Sequence, residues 1–123
     1  MTDRKSLGDF AERVAVAHLQ SRGYQIIQTK FRVREGEIDI VAQHRGAIVL
    51  VEVKARRSTA MGPAVDGISR RKAKRLLAAG EVFGVRHPEL PQDRRIDLIA
   101  IDLDASGRIV SLEHLESAVE DGY

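Results

Sequence analysis

Two neighbouring segments decide how this chain folds: GEIDIVA at residues 36–42 and VLVEVK at residues 49–54. Both are rich in β-branched and aliphatic residues, which is typical of strands in a protein core. Between them, Arg45-Gly46 has the character of a tight two-residue turn. The two segments are therefore predicted to form a β-hairpin at the centre of the fold.

One end of this hairpin carries charged residues that are costly to bury on a strand. A symmetric turn at Arg45-Gly46 places Asp39 opposite Glu52 and Glu37 opposite Lys54. Directly opposed side chains have Cβ atoms about 4.5–5.5 Å apart, and two like charges at that spacing require a positive charge between them. Carboxylate oxygens suit Mg²⁺ or Mn²⁺ better than zinc, so the hairpin end is a candidate cation site.

Composition favours an ordinary globular protein. The 123 residues suit one domain spanning residues 1–123, with 43% hydrophobic and 31% charged residues. The absence of cysteine excludes disulfides and thiolate metal sites. No apolar run approaches the length of a membrane span, and there is no signal-peptide pattern, so a cytoplasmic protein without a membrane partner is expected.

The remaining segments predict an α/β protein with a mixed sheet. Ser6 and Asp9 resemble a capping box that opens a first helix, and Gly23 is a suitable stop after it. Alternating residues then predict a strand before the hairpin, and Ser69 is a candidate N-cap for a second helix. Further elements are a helix ending near Phe83, an apolar strand at 96–101 and a short strand at 108–112.

The charge distribution separates a basic segment from an acidic one. Residues 54–75 contain eight basic residues and one acid, whereas residues 97–123 contain seven acids and one arginine. A basic segment beside a carboxylate site suits a polyanion such as nucleic acid, although a solvated helix face is the plainer interpretation. The acidic tail, about residues 116–123, is expected to be poorly ordered. Candidate phosphate contacts are Arg56, Arg57, Arg70, Arg71, Lys72, Lys74 and Arg75.

Other ionisable residues carry weaker signals. Glu12 lies on an apolar stripe of the first helix, but the pattern alone favours a surface glutamate stabilised by the helix dipole. The histidines show no zinc-ligand spacing. His18 is expected on the helix surface and His44 in a turn.

Several motifs together resemble one known family. They are Leu7-Gly8 with Glu12, Gly23-Tyr24, GEIDIVA at 36–42, VLVEVKAR at 49–56, Gly62-Pro63, Lys72, Arg95-Ile96-Asp97 and Glu113-His114-Leu115. In order and spacing, these motifs resemble the YraN family, also catalogued as uncharacterised protein family 0102, over nearly the whole chain. That family is similar to the PD-(D/E)xK, or restriction-endonuclease-like, superfamily. The implied fold is a mixed central sheet flanked by helices, in the order α-β-β-β-α-β-β.

The resemblance also implies roles for individual residues. Asp39 matches the metal aspartate, Glu52 and Lys54 match the E-x-K pair, and Glu12 matches a first-helix glutamate that often joins such sites. The implied catalytic set is Asp39, Glu52, Lys54 and Glu12, with Asp39, Glu52 and Glu12 as ligands of Mg²⁺ or Mn²⁺. The chain departs from the family at Lys30, where asparagine is frequent, at Ala11 and at residues 117–119, but not at the proposed site.

Three hypotheses about function follow. The leading one is a metal-dependent, endonuclease-like protein that hydrolyses phosphodiester bonds, with DNA favoured over RNA and a homodimer as a way to hold two strands. The alternative is a non-catalytic nucleic-acid-binding module that retains the nuclease fold. A third is a scaffold that binds a protein partner through the acidic tail. Fold alone does not decide between them.

Overall fold

A computed structural model describes residues 4–57 and 67–119 of the chain. These residues form two helices and five strands in the predicted order α-β-β-β-α-β-β. The elements are α1 (Arg4–Ser21), β1 (Gln25–Val33), β2 (Gly36–His44), β3 (Ala47–Arg56), α2 (Arg70–Arg86), β4 (Arg94–Leu103) and β5 (Ile109–Leu115).

The five strands form one mixed sheet in the order β1-β2-β3-β4-β5. Neighbouring strands are antiparallel except β3 and β4, which are parallel and are connected through α2. A parallel pair needs such a long crossover because the chain must return to the starting edge. The α/β class and the mixed sheet predicted from the sequence are confirmed.

The helices cover opposite faces of the sheet. On one face, Ala11, Ala15 and Leu19 of α1 are buried at intervals of four residues and pack on residues of β2, β3 and β4. On the other face, Leu76 and Phe83 of α2 pack on β1, β2 and β3. Complete burial of a side chain such as that of Leu19 contributes about 1.5–3 kcal/mol.

The central hairpin has the predicted turn. Arg45 and Gly46 have φ angles of 51° and 78°, which is the positive-φ pair of a tight hairpin whose twist matches its strands. The strand register follows from it, with Ile40 opposite Val51. Regular pairing of β2 with β3 is described from this pair to the turn, so the charged residues lie just beyond its end.

Strand alternation breaks at Asp39. Ile38 packs in the cluster beneath α2, whereas Ile40, two residues on, packs in the cluster beneath α1. In a regular strand these two side chains would share a face. On the neighbouring strand, Lys30 has a φ of 54°, and the paired residues skip from Thr29–Ile40 to Phe31–Ile38. This local irregularity reorients the strand at the candidate site, as bulges beside functional sites commonly do.

The helix ends agree with the sequence only in part. The Ser69 hydroxyl accepts a hydrogen bond from the Lys72 amide, as predicted for an N-cap, and Gly23 has a φ of 87° just after α1. The capping box at Ser6 is wrong, because α1 already includes Arg4. The α2 helix runs past Phe83 to Arg86, because the Phe83 ring is buried against the sheet and extends the packed face.

The carboxyl-terminal part of the described chain contacts β4. The Ala118 amide donates to the Ile96 carbonyl at 2.7 Å, and the Ser117 amide donates to Asp97 at 3.1 Å. Residues 120–123 of the acidic tail, and residues 58–66 with Gly62-Pro63, lie outside the described residues. Neither helix in the described chain is long and apolar enough to cross a membrane.

Candidate functional site

Asp39 sits where the β2–β3 ladder ends. Its Oδ2 atom accepts a hydrogen bond of 2.8 Å from the backbone N–H of Val53. A side chain thus takes the place of a strand carbonyl, which ties Asp39 to β3. The sequence placed Asp39 beside β3 correctly, but this contact depends on the local break in alternation.

Asp39 and Glu52 interact directly and compete for ionisation. Burial and then the negative charge of Asp39 raise the pKa of Glu52 to about 7. Burial likewise raises the pKa of Asp39, although its hydrogen bond from Val53 opposes that shift. Near neutral pH the pair therefore shares a proton, as close carboxylates do when no cation lies between them.

The cation nearest to this carboxylate pair is Lys72 of α2. Its Nζ atom lies 3.5 Å from Oε2 of Glu52, and its charge lowers the pKa of both Glu52 and Asp39. The Nζ atom of Lys54 instead donates a 2.8 Å hydrogen bond to the carbonyl of Gly67, just before α2. Sequence reasoning assigned Lys72 to phosphate binding only. Its position beside Glu52 depends on how α2 packs on the sheet, and local sequence patterns do not predict that packing.

Glu12 shares a cleft with Asp39 but has its own partner. The cleft, of about 510 Å³, lies between the amino-terminal half of α1 and the end of the hairpin. The Lys30 ammonium binds both carboxylate oxygens of Glu12, at 2.8 and 2.9 Å, and approaches Asp9 at 3.4 Å. Glu12 points into the protein's cleft, with 16% of its side chain exposed, rather than lying on a free helix surface.

Glu37 does not pair with Lys54, which corrects the expectation from a symmetric hairpin. It pairs with Arg32 of β1, and their side chains are 3.3 Å apart. The β2–β3 pairing described stops at Ile40 and Val51, so residue 37 is held by β1 instead. Glu37 lines the rim of the Asp39 cleft.

The predicted phosphate-binding residues lie around the α2 start and the β3 end. Arg70, Arg71, Lys74 and Arg75 are exposed on α2, whereas Arg56, Arg57 and Lys72 are partly buried. Lys72 and Arg75 line a smaller cleft of about 290 Å³ with Glu37. A basic surface thus adjoins the carboxylate pair on the α2 side.

A second polar cluster was missed by sequence reasoning. The fully buried Asp97 of β4 binds Tyr24, Arg95 and His114, with distances of 2.9, 3.0 and 2.8 Å. Burial alone would raise the pKa of Asp97, but its hydrogen bonds, first those from His114 and Arg95, hold it at about 2. The sequence feature that could have indicated this cluster is the charged pair Arg95 and Asp97 in an otherwise apolar strand.

The histidine expectations are corrected by the same cluster. His44 is the last residue of β2, not a turn residue, and its ring stacks on that of Tyr24 at 3.8 Å. His18 is not a free surface residue, because its Nε2 atom lies 3.2 Å from Nδ1 of His114. Both contacts join residues far apart in sequence, so local patterns could not reveal them.

The donor set at the hairpin fits a hard cation. Two partly buried carboxylates that share a proton offer oxygen ligands and would lose their mutual repulsion on binding a divalent ion. Within residues 4–57 and 67–119, however, no three or more histidine, aspartate or glutamate side chains are grouped so as to hold a metal. The structure therefore brings Asp39 and Glu52 together. Glu12 lies in the adjoining cleft, where its carboxylate is paired with the Lys30 ammonium.

Fold and site together define an α/β protein with a mixed sheet and a partly buried carboxylate pair at the end of its central hairpin. The sequence model of a family described as "Uncharacterised protein family UPF0102" matches residues 11–101. The chain belongs to this family.

Relatives with the same family name align over most of their length. The chain is 42% identical to a UPF0102 protein of Roseiflexus castenholzii over 98% of this chain and 99% of that protein. It is 37% identical to a UPF0102 protein of Clavibacter michiganensis subsp. michiganensis over 96% and 99% of the two chains. The family resemblance seen in the sequence is thus confirmed.

Proposed function

We propose that this protein processes nucleic acid with a metal-dependent, endonuclease-like site that hydrolyses phosphodiester bonds. The observation that carries the proposal is the partly buried Asp39–Glu52 pair, in which the pKa of Glu52 is raised to about 7. A perturbed carboxylate pair in direct contact is typical of catalytic and cation-binding sites. The basic surface of α2 beside this pair supplies a docking region for the phosphate backbone.

Asp39 and Glu52 would hold Mg²⁺ or Mn²⁺ through carboxylate oxygens. Such an ion supplies Lewis acidity at a scissile phosphate and lowers the pKa of a bound water. The Val53 amide fixes one oxygen of Asp39, which orients the carboxylate without neutralising it. Glu12 and Lys30, a bound pair in the adjoining cleft, would shape the space beside the ion.

Two lysines would serve different purposes. Lys72, 3.5 Å from Glu52, keeps a positive charge beside the reacting region. Lys54 holds the chain at Gly67, where the polypeptide enters α2, and thereby positions Lys72 relative to β3. The exposed cations of α2 would bind phosphates on either side of the cleaved bond.

The first test measures the cation. Titration of Mn²⁺ into the protein at pH 7, followed calorimetrically in two buffers of different ionisation enthalpy, should show binding with release of a proton from the carboxylate pair. Asp39→Asn should abolish it, whereas Asp93→Asn, at an exposed aspartate outside the site, should not. Mn²⁺ binding that is the same in both variants would refute the site.

The second test measures cleavage. Labelled single-stranded, duplex and branched DNA, and matched RNA, would be incubated with Mg²⁺ or Mn²⁺ and wild-type protein, Asp39→Asn or Asp93→Asn. Cleavage by wild type and Asp93→Asn but not by Asp39→Asn supports the enzyme. Equal residual cleavage in all three preparations would identify a contaminant and remove the catalytic claim.

One observation favours the alternative of a nucleic-acid-binding module. The Glu12 carboxylate is already bound by the Lys30 ammonium, so the described residues bring only two carboxylates, Asp39 and Glu52, together at the hairpin end. A module would bind nucleic acid with strong salt dependence and no requirement for a divalent ion. Charge reversal of Arg71 and Lys74 would weaken its binding, and Asp39→Asn would leave the affinity unchanged.

A further inference from the structure

A second cleft lies at the opposite end of α1 from the carboxylate pair. It has a volume of about 350 Å³ and is bordered by α1, the β2–β3 turn and β5. Most of its lining side chains are basic or imidazole groups. The lining residues are His18, Arg22, Tyr24, His44, Arg45, Leu112, His114 and Glu116.

The single acid of this cleft is already paired. Oε1 of Glu116 accepts a hydrogen bond from Arg95 at 3.1 Å and lies 3.2 Å from the hydroxyl oxygen of Tyr24. Arg22 and Arg45, by contrast, are exposed at the rim, one just after α1 and one in the hairpin turn. The cleft therefore offers two guanidinium groups without an opposing free carboxylate among its lining residues.

The buried network behind the cleft fixes its imidazoles. Nε2 of His114 donates to the buried Asp97 at 2.8 Å. Because arginine has no acceptor, Arg95 must donate to Nδ1 of His44, 3.0 Å away. In the neutral His44 ring the hydrogen is then on Nε2, which makes that nitrogen a donor.

The local field is positive. Burial, and then the charges of His114 and Arg22, lower the pKa of His18. Burial, and then the charges of Arg95 and Arg45, lower the pKa of His44. The charges of Arg22 and Arg45 favour a bound anion, whereas Glu116 and Asp97, which act in the opposite direction on His44, are already paired.

The end of α1 does not cancel this preference. Carbonyl groups at a helix carboxyl terminus repel anions, but those near the cleft have donors of their own. The amides of Arg22 and Tyr24 donate to Leu19, and the hydroxyl of Ser21 donates to His18. Arg22 adds a full positive charge immediately beyond the helix end.

We propose that this cleft binds a phosphate group of nucleic acid through Arg22, Arg45 and the Nε2 hydrogen of His44. The inference rests on the proposed function for the identity of the ligand, since it makes the cleft a second phosphate subsite. His44 and Asp39 are five residues apart on β2, about 17 Å along a strand. The two sites therefore lie along one strand of the sheet.

The test follows the imidazoles directly. Nitrogen-15 NMR of His18 and His44 would be recorded across pH 5–9 with inorganic phosphate or with chloride at equal ionic strength. Bound phosphate stabilises imidazolium, so both pKa values should rise in a saturable way. Arg22→Ala combined with Arg45→Ala should weaken phosphate binding about tenfold or more, because charge-assisted hydrogen bonds are lost.

The matched control is Arg108→Ala, which removes the same charge at an exposed position in the β4–β5 turn. It should leave phosphate binding within about twofold, since distant exposed charges are screened. No saturable shift in wild type, or equal affinity in the double variant and wild type, would overturn the site. All three exposed substitutions should preserve the fold, which thermal unfolding verifies.

A second measurement distinguishes the phosphate's source. Short DNA strands with and without a 5′-phosphate would be compared by fluorescence anisotropy without divalent ions. Tighter binding of the phosphorylated strand, lost in the double arginine variant, assigns a terminal phosphate. Equal binding of both strands, weakened alike by the double variant, assigns an internal phosphodiester. Binding of both strands that ignores the two arginines contradicts the proposal.

The proposed cation site and this cleft can fail separately. Asp39→Asn should leave the phosphate-dependent shifts of His18 and His44 unchanged, because the measurement needs neither metal nor cleavage. Loss of Mn²⁺ binding with retained phosphate binding would remove the proposed catalysis alone. Loss of phosphate binding with retained Mn²⁺ binding would remove this cleft alone.

Discussion

Two aspartates on the same sheet, Asp97 fully buried and Asp39 partly buried, have opposite surroundings. Asp97 receives hydrogen bonds from Arg95, His114, Tyr24 and the Ser117 amide, and its pKa is held at about 2. Asp39 receives one backbone hydrogen bond and faces another carboxylate, and burial raises its pKa. The first aspartate is stabilised as an anion, whereas the second is stabilised as an acid.

The difference shows how the same residue type serves stability or function. Burying a carboxylate is unfavourable unless donors or cations compensate. The Asp97 cluster supplies that compensation from its own chain, so it fixes β4 to the start of β1 and to β5. Among the described residues, the Asp39–Glu52 pair has only Lys72 as a compensating cation beside it, which is why the proposed divalent ion and the proposed activity are placed there.

The largest expected effect is on stability at Asp97. Asp97→Asn leaves Arg95 without its buried anion and should lower the free energy of unfolding by about 3–5 kcal/mol. Chemical denaturation at pH 7 would measure it. Asp93→Asn, at an exposed aspartate, should change the free energy by less than about 0.5 kcal/mol.

The pH dependence sharpens that prediction. The folded pKa of Asp97 is about 2, below the usual aspartate value of 3.8. Its stabilising contribution is therefore present above about pH 4 and is lost as the pH falls towards 2. Asp97→Asn should flatten this acid limb of the stability curve. An unchanged acid limb would show that Asp97 is not the stabilised anion.

The sequence predicts the central hairpin well but does not predict the Asp97 cluster. The hairpin follows from alternation on both sides of Arg45-Gly46, and its register brings Asp39 to Glu52. Those are local properties. The Asp97 cluster joins β4 to Tyr24, 73 residues earlier, so it depends on the whole sheet being assembled.

Within the candidate site, the lysines show the limit of sequence reasoning. The E-x-K spacing predicts Lys54 beside Glu52, since residues two apart share a strand face. Yet Lys54 bonds to Gly67, and Lys72 takes the position 3.5 Å from Glu52. That exchange results from the packing of α2 on the sheet, which follows from tertiary contacts rather than from spacing along β3.

A smaller stability effect is expected at Tyr24. Tyr24→Phe removes a hydroxyl that donates to Asp97 at 2.9 Å and accepts from Arg95 at 2.7 Å. The loss should be about 1–3 kcal/mol, because buried partners are left without their hydrogen bonds. It should also raise the pKa of Asp97. Tyr24→Phe that matches wild type in denaturant midpoint would contradict the role assigned to the hydroxyl.

At the carboxylate pair, stability is expected to change with pH in the opposite direction: it falls as the pH rises. Glu52 has a folded pKa of about 7, above the usual glutamate value of 4.5. Its contribution to stability is therefore complete below about pH 4.5 and is lost as the pH rises through 7. Asp39→Asn removes the repelling charge, so the pKa of Glu52 should fall and the loss of stability between pH 5 and 8 should shrink.

Denaturation midpoints of wild type and Asp39→Asn across pH 5–8 would measure this effect, with Asp93→Asn as the control. The variant should equal or exceed wild type at pH 8, by up to about 1 kcal/mol, since an asparagine oxygen can still accept from Val53. A variant that is several kcal/mol less stable would mean that Asp39, like Asp97, is a structural anion.

The smallest expected effect is a shift in the pKa of Glu52, which should differ between variants of Lys72 and Lys54. Because the charge of Lys72 lowers the pKa of Glu52, Lys72→Met should raise that pKa above about 7. Lys54→Met should leave it nearly unchanged, because the Lys54 ammonium lies against the Gly67 carbonyl and is not among the main charges that act on Glu52. Carbon-13 NMR of the Glu52 carboxyl would follow both titrations. A larger shift in Lys54→Met than in Lys72→Met would return the electrostatic role to the lysine that the strand spacing favours, and would make Lys72 a phosphate contact only.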